Sequence, residues 1–179
     1  MAVQDIFAGH GVAYLAPYNT PLPADADEAL NAAFVSLGEV SEDGLAHAFT
    51  PDKTILKNWA GNDVRVLTTT TSITFGLKFL EDNLRVVELF YGATVNAGTG
   101  VSDVALGRPI DQQYAMVIAL ADGARGKRYV LPRVEVSERE DKTVAPGEAG
   151  WGMTFAALHD PVTGGNGSLQ FAWNLASTA

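Results

Sequence analysis

Side chains that bind metals or catalyse reactions are sparse and scattered in this chain. The three histidines, His10, His47 and His159, form neither an HxH nor an HExxH motif. The absence of cysteine excludes thiolate metal sites and disulfides. We therefore expect no metal site, no cofactor and no catalytic residues.

Other chemical motifs are incomplete. No GxSxG sequence marks a nucleophilic serine. The segment Asp122–Arg128, "DGARGKR", has glycines too close together for a phosphate loop, and Arg128 stands where Ser or Thr is required. The acids within residues 138–141 lie beside Arg139 and Lys142, which is typical of an exposed, self-compensated loop. An enzyme is not indicated.

Aromatic residues near turns support a different kind of function. Trp59, Tyr91 and Trp151 are candidates for a sugar-stacking platform or for protein-interface anchors. A carbohydrate-binding β-sandwich module is therefore an alternative function. Such a module normally carries a secretion signal, and the N-terminus "MAVQDIFAGHG" lacks the basic and apolar regions of one.

Charge is unevenly distributed along the 179 residues. The net charge is −9, of which −8 falls in residues 1–52, where no Lys or Arg occurs. Six of the 12 bases fall within residues 125–142. Duplex binding needs many Lys and Arg side chains, so a sequence-reading DNA-binding protein is not indicated. The apolar runs are too short to span a membrane.

Short β-branched and aromatic runs between turn residues dominate the chain after Phe34. Apolar residues are 47% of the chain, as in folded globular proteins. The pattern predicts a mainly β fold, a β-sandwich or partly open barrel of about eight strands, with one flanking α-helix at about residues 80–91. We assign residues 1–33 to an N-terminal arm, with a helix of at most two turns in "DADEALNAAF", and residues 34–179 to the β-domain.

Two strands carry predicted irregularities. Residues 45–67 are expected to form a hairpin, but the apolar positions that follow change from even (Val64, Val66) to odd (Ile73, Phe75), which predicts a bulge or a new packing partner within "TTTT", residues 68–71. In a later strand, Pro132 predicts a bulge or an edge.

The segment Glu81–Gly92, "EDNLRVVELFYG", has the signals of a complete helix. Acids and Asn83 precede it, Gly92 follows it, and Glu81 is spaced to pair with Arg85. Helical spacing predicts an apolar stripe that packs on the sheet, and this stripe consists of Leu80, Leu84, Val87 and Tyr91.

The order of these features resembles a known family. The segments are "SLGEVSEDGL" (Ser36–Leu45), the long run Leu56–Gly92, "RYVLPRVEVSE" (Arg128–Glu138) and "MTFAALHDPVTG" (Met153–Gly164). Together they resemble the major tail tube protein of long-tailed, siphovirus-type bacteriophages, over about residues 30–172.

This resemblance implies a structural virion protein that assembles as stacked, hexameric rings into a hollow tube for genome ejection. It implies contacts with itself and with the tape measure, tail terminator and distal tail proteins, passage of DNA without specific binding, and assembly in the host cytoplasm. An inner tube protein of a contractile tail or secretion system is a further alternative. The immunoglobulin-like domain of some relatives is not expected here.

The resemblance also implies where subunits meet. Residues 1–33 would be the arm that contacts neighbours, and residues 41–63 the loop between rings. The acid-rich N-terminal third and the basic stretch could also attract each other between copies. The candidate interface residues are Asp43, Phe49, Trp59, Arg125, Lys127 and Arg128.

Overall fold

The computed structural model describes residues 9–123, 125–142 and 150–172. Its elements in chain order are β1 (His10–Pro17), β2 (Val35–Glu39), β3 (Ala46–Lys57), β4 (Asp63–Phe79), α1 (Leu84–Tyr91), β5 (Val95–Ala97), β6 (Ser102–Val104), β7 (Tyr114–Asp122), β8 (Arg125–Arg139), β9 (Trp151–Ala157) and β10 (Ser168–Phe171).

Eight of the strands form one antiparallel sheet in the order β2-β1-β7-β8-β9-β4-β3, and β10 also pairs with β8. The strands β5 and β6 form a separate small sheet. The predicted mainly β fold with about eight strands and one helix is confirmed. Within the described residues the sheet stays open and does not close into a barrel, although a single bridge between Val40 and Phe79 brings the end of β2 against β4.

The core lies on the inner face of this curved sheet. Facing positions on β4 and β9 share that face, as Phe75 with Phe155 and Leu77 with Met153, because paired residues of antiparallel strands point to the same side. The inner faces of β1, β7 and β8 complete the cluster, and the helix covers part of it. Its largest fully buried members are Phe75, Phe79, Phe155, Leu37, Met116, Ile118 and Met153.

The predicted hairpin and the bulge in β4 are both confirmed. Asp52 pairs with Thr70 but Lys53 pairs with Thr68, so Thr69 is an extra residue in β4. The bulge explains why the apolar positions of β4 change from even to odd numbers along the chain. It keeps Val66, opposite Ile55, on the same face as Ile73, opposite Phe49.

The bulge predicted at Pro132 is also present. Tyr114 pairs with Val134 and Met116 with Leu131, so β8 has one extra residue between its two partners. Simple alternation would place Val130 on the face of Val134. That expectation is wrong because the bulge shifts the alternation, and Leu131 lies on the core side instead.

The helix has the predicted ends but a different buried face. Asn83 caps it by accepting from the amide of Arg85, and Gly92 ends it at φ 59°. The fully buried positions are Val86 and Leu89. Val87 and Tyr91 of the predicted stripe pack partly against the core. Leu80 and Leu84 are 49% and 46% exposed, so the prediction was wrong for these two.

The reason lies in the position of each residue relative to the buried face. Leu80 precedes the cap and is outside the helix. Leu84 is two residues before the buried Val86, which places it about 200° away around the helix axis. The predicted pair of Glu81 with Arg85 is also absent among the described contacts. Arg85 instead pairs with Glu88 at 2.9 Å, and Glu81 accepts from the amide of Glu39.

The N-terminal segment is joined to the sheet. His10–Pro17, inside the expected arm, forms β1 and pairs with both β2 and β7. The short helix expected near residues 25–34 is wrong. The carboxylate of Asp25 accepts from the amides of Asp27 and Glu28, which favours a local turn over a helix.

Candidate functional site

The most prominent surface feature is a two-stranded projection from the sheet. We call it the projecting hairpin, and it comprises Phe49–Lys57 of β3, Asp63–Ile73 of β4 and the connecting turn. Strand β9 pairs with β4 only over Thr74–Phe79, so no other described strand supports this part. Almost every residue in it is exposed.

The turn at its tip is set by local hydrogen bonds. The side-chain oxygen of Asn58 accepts from the amides of Ala60 and Asn62. Gly61 adopts φ 80°, a conformation that favours glycine. An exposed ion pair between Lys57 and Asp63, at 3.3 Å, flanks the turn. The segment "KNWAGND" therefore fixes the tip and presents Trp59 at its end.

Large apolar side chains on this hairpin face solvent. Phe49 is 62% exposed, and Trp59 is fully exposed. Ile55 and Val66 continue the core face outward along the strands, beyond the last supporting strand. An unsupported two-stranded hairpin is only marginally stable in water, and exposed apolar groups of this size mark interaction surfaces. The other large apolar residues exposed here are Leu56 and Val64.

The predicted interface residues lie on separate parts of the fold. Phe49 and Trp59 belong to the projecting hairpin. Asp43 lies before β3, at the opposite end from the tip, and accepts from the hydroxyl of Ser41. Arg125 and Lys127 lie at the start of β8.

The sixth candidate, Arg128, contacts the N-terminal segment of its own chain. Its guanidinium donates to the backbone oxygens of Asp25 and Glu28. Gln170 on β10 likewise donates to the backbone oxygen of Pro23. Part of the basic stretch thus holds the acid-rich N-terminal segment within one subunit.

The structure does not assemble the aromatic platform that a carbohydrate-binding module would need. Trp151 is only 5% exposed, and its indole nitrogen donates to Asp82 at 2.9 Å. Its ring makes edge contacts with Phe90 and Tyr91, and the ammonium of Lys142 lies 3.0 Å from its centre. Trp59 stands on the projecting hairpin instead, so the expected trio does not form one surface.

Potential metal ligands do not converge in the described part of the chain. Within residues 9–123, 125–142 and 150–172, no group of three or more His or acidic side chains is placed to hold a metal ion. His47 stacks on Phe75, with ring centres 4.6 Å apart. Over the same residues, no helix is long and apolar enough to cross a membrane.

One buried charged residue was missed by sequence analysis. Asp160 is 2% exposed and accepts hydrogen bonds from the phenol of Tyr18 and from the amide and hydroxyl of Thr163. The Tyr18 hydrogen bond is the main cause that lowers the pKa of Asp160, and the same bond raises the pKa of Tyr18. The sequence Asp160-Pro161-Val162-Thr163 has the residues of a turn, but it does not indicate the burial of Asp160 or its contact with Tyr18.

A protein-family model described as "Phage tail tube protein" matches residues 2–173. The chain belongs to the phage tail tube protein family. Membership makes it a structural, non-enzymatic component of the virion tail that self-assembles with other tail proteins. No curated protein gave a significant sequence match. The exposed hairpin is consistent with a protein that assembles with other subunits.

Proposed function

We propose that this tail tube protein polymerises as stacked rings of six subunits into the conduit for genome ejection. The observation that carries the proposal is the projecting hairpin, whose apolar face continues the core face into solvent. Burial of each exposed apolar side chain at a subunit interface would contribute on the order of 1 kcal/mol or more. A hairpin of this kind gains its stability by assembly.

The candidate interface residues divide into two groups in this proposal. Phe49 and Trp59 contact a neighbouring subunit through the hairpin. Asp43 and the basic residues Arg125, Lys127 and Arg128 lie at surfaces where charge complementarity could order the contact. Residues 1–33 are proposed to contact neighbours as well, although β1 itself is part of the sheet.

An electrostatic attraction between the acid-rich N-terminal third and the basic stretch is a second way to stack rings. Because Arg128 already donates to the N-terminal segment within one subunit, this attraction also holds the subunit's own segment in place. Salt screens the attraction between exposed charges on two copies, so it tests whether stacking depends on charge. Tubes that remain intact at high salt would argue against charge-driven stacking.

The charge of the subunit suits a passage for DNA. Six subunits at −9 each carry −54 per ring, which repels phosphates and disfavours specific binding. We propose that some acids face the lumen and lower friction on the passing genome. Neutralising the lumenal acids should slow ejection from reconstituted phage, and unchanged ejection would remove repulsion as the reason.

Partners at the two ends and inside the tube complete the proposal. We expect the tape measure protein in the lumen and the tail terminator and distal tail proteins at the ends. Assembly is proposed to take place in the host cytoplasm. Pull-down of each separately expressed tail protein by preformed tubes would identify these contacts.

Negative-stain microscopy of the purified protein tests the central claim. Rings or tubes, counted for their symmetry in end-on views, are the expected result. A protein that stays monomeric at high concentration, with and without a tail-tip initiator complex, would overturn the proposal.

A further inference from the structure

A cavity of about 240 Å³ opens at the end of the sheet away from the projecting hairpin. Its wall includes the side chains of Leu45, Leu77 and Ile118, which are partly or fully buried. The exposed residues Glu39, Glu42 and His10 also line it, so its charged groups are two carboxylates beside one imidazole. An apolar interior with an acidic rim fits a large apolar side chain carried by a basic segment.

The cavity and the hairpin tip stand at opposite ends of β4. The cavity residues 39–45 precede β3, and the amide of Ser41 bonds to the backbone oxygen of Lys78 at the end of β4. The tip joins Lys57 to Asp63, at the other end of the same strand pair. The 17 residues of β4 span about 55 Å at about 3.3 Å per residue.

The charge at the tip of the projecting hairpin is opposite to that of the two glutamates at the cavity. Residues 53–66 contain the bases Lys53, Lys57 and Arg65 and one acid, Asp63, so this segment is positive in a chain of net charge −9. Among the described residues, neither Glu39 nor Glu42 forms a salt bridge. Opposite charges at the tip and at the cavity rim would therefore meet only between two copies.

We propose that Trp59 of one subunit inserts into this cavity of a subunit in the next ring, with the bases of the tip facing Glu39 and Glu42. This inference rests on the proposed ring stacking and specifies its contact. The two surfaces differ and lie at opposite ends, so the contact is head-to-tail. Such a contact repeats without closing and generates an open polymer.

Complementing variants test the contact. Trp59→Ala removes the inserted side chain but leaves the cavity, whereas the double variant Glu39→Lys, Glu42→Lys reverses the rim charge but leaves the tip. All three positions are exposed, so folding should be retained. Each variant alone should raise the concentration needed for tube growth at least about tenfold. Val101→Ala, at another exposed apolar residue, is the matched control and should leave it unchanged.

Mixing separates this inference from the proposed function. Rings of the two variants, prepared separately and then combined, should form pairs of rings that grow no further. If the wild type and Trp59→Ala both form normal tubes, the insertion of Trp59 is wrong but the proposed polymer of rings stands. A wild-type chain that forms no rings would overturn the proposed function itself.

The lack of cysteine allows a direct test of proximity. Ala60→Cys, which keeps the neighbouring Trp59 at the exposed tip, and Glu42→Cys variants, assembled together and treated with a bismaleimide, should give covalent dimers. A Val162→Cys variant replacing the Ala60→Cys partner should give none. Dimers absent from assembled tubes would overturn the contact. If a Phe7→Cys variant cross-links to Glu42→Cys instead, the N-terminal segment occupies the cavity. That result would also overturn the proposed contact.

Discussion

The two leucines of α1 offer a matched measurement of how the helix is packed. Leu89 is 3% exposed against the core, whereas Leu84, in the same helix, is 46% exposed. Replacing either with Ala makes the same chemical change at nearly the same intrinsic helix propensity. The difference in their effects on stability therefore measures burial.

The magnitudes follow from burial. Leu89→Ala removes buried methyl groups and should lower the free energy of unfolding by about 2–5 kcal/mol. Leu84→Ala should change it by about 0.5 kcal/mol or less. With a urea m-value of about 2–3 kcal/mol/M, the midpoint for Leu89→Ala should fall by about 1–2 M.

The assay is urea unfolding of gel-filtered monomer, followed by circular dichroism for the wild type and both variants. Working with monomer prevents assembly from masking the loss. Equal midpoints for the two variants, or a larger loss for Leu84→Ala, would refute the assignment of Val86 and Leu89 to the buried face.

Three further predictions concern individual contacts. Asn83→Ala should lower stability by about 1 kcal/mol or more in the same assay, because it removes the helix cap and the bond that the Asn83 amide nitrogen donates to the carbonyl of Ser36, and Asn83→Asp should restore only the cap. Gly92→Ala should destabilise more than Gly61→Ala: both have positive φ, but a Cβ at Gly92 would meet Pro109 whereas the space at Gly61 is open. The lowered pKa of Asp160 means that its stabilising contribution is present above the unfolded value of 3.8 and is lost as pH falls through the folded pKa. The stability gap between the wild type and Asp160→Asn, measured by urea unfolding, should therefore narrow below about pH 4. A gap that is constant from pH 7 to pH 2 would contradict it.

Local signals in the sequence predicted local structure well. Asn83 and Gly92 fixed the ends of the helix because capping depends on neighbouring residues alone. The bulge near Thr69 was predictable because a change in alternation leaves few other solutions. The hairpin followed from the turn residues around Gly61.

Features that depend on distant partners were not predictable from the sequence. The helix has apolar residues on more than one side, and the position of the sheet decides that Leu89 is buried and Leu84 is not. The pairing of β1 with β7 joins segments about 100 residues apart. Asp160 reads as an ordinary turn residue until Tyr18 is placed beside it.

The unpaired edge of the projecting hairpin also affects how subunits can associate. Strand β3 is the last strand of the sheet, so its outer backbone groups are unpaired within the described structure. Pro51 and the charged residues Asp52, Lys53 and Lys57 lie along that edge, and such residues oppose strand addition by another chain. The apolar face of the hairpin can thus remain available for ordered assembly while its edge resists fibril-like stacking. The segment therefore combines an apolar face that favours association with an edge that disfavours strand addition.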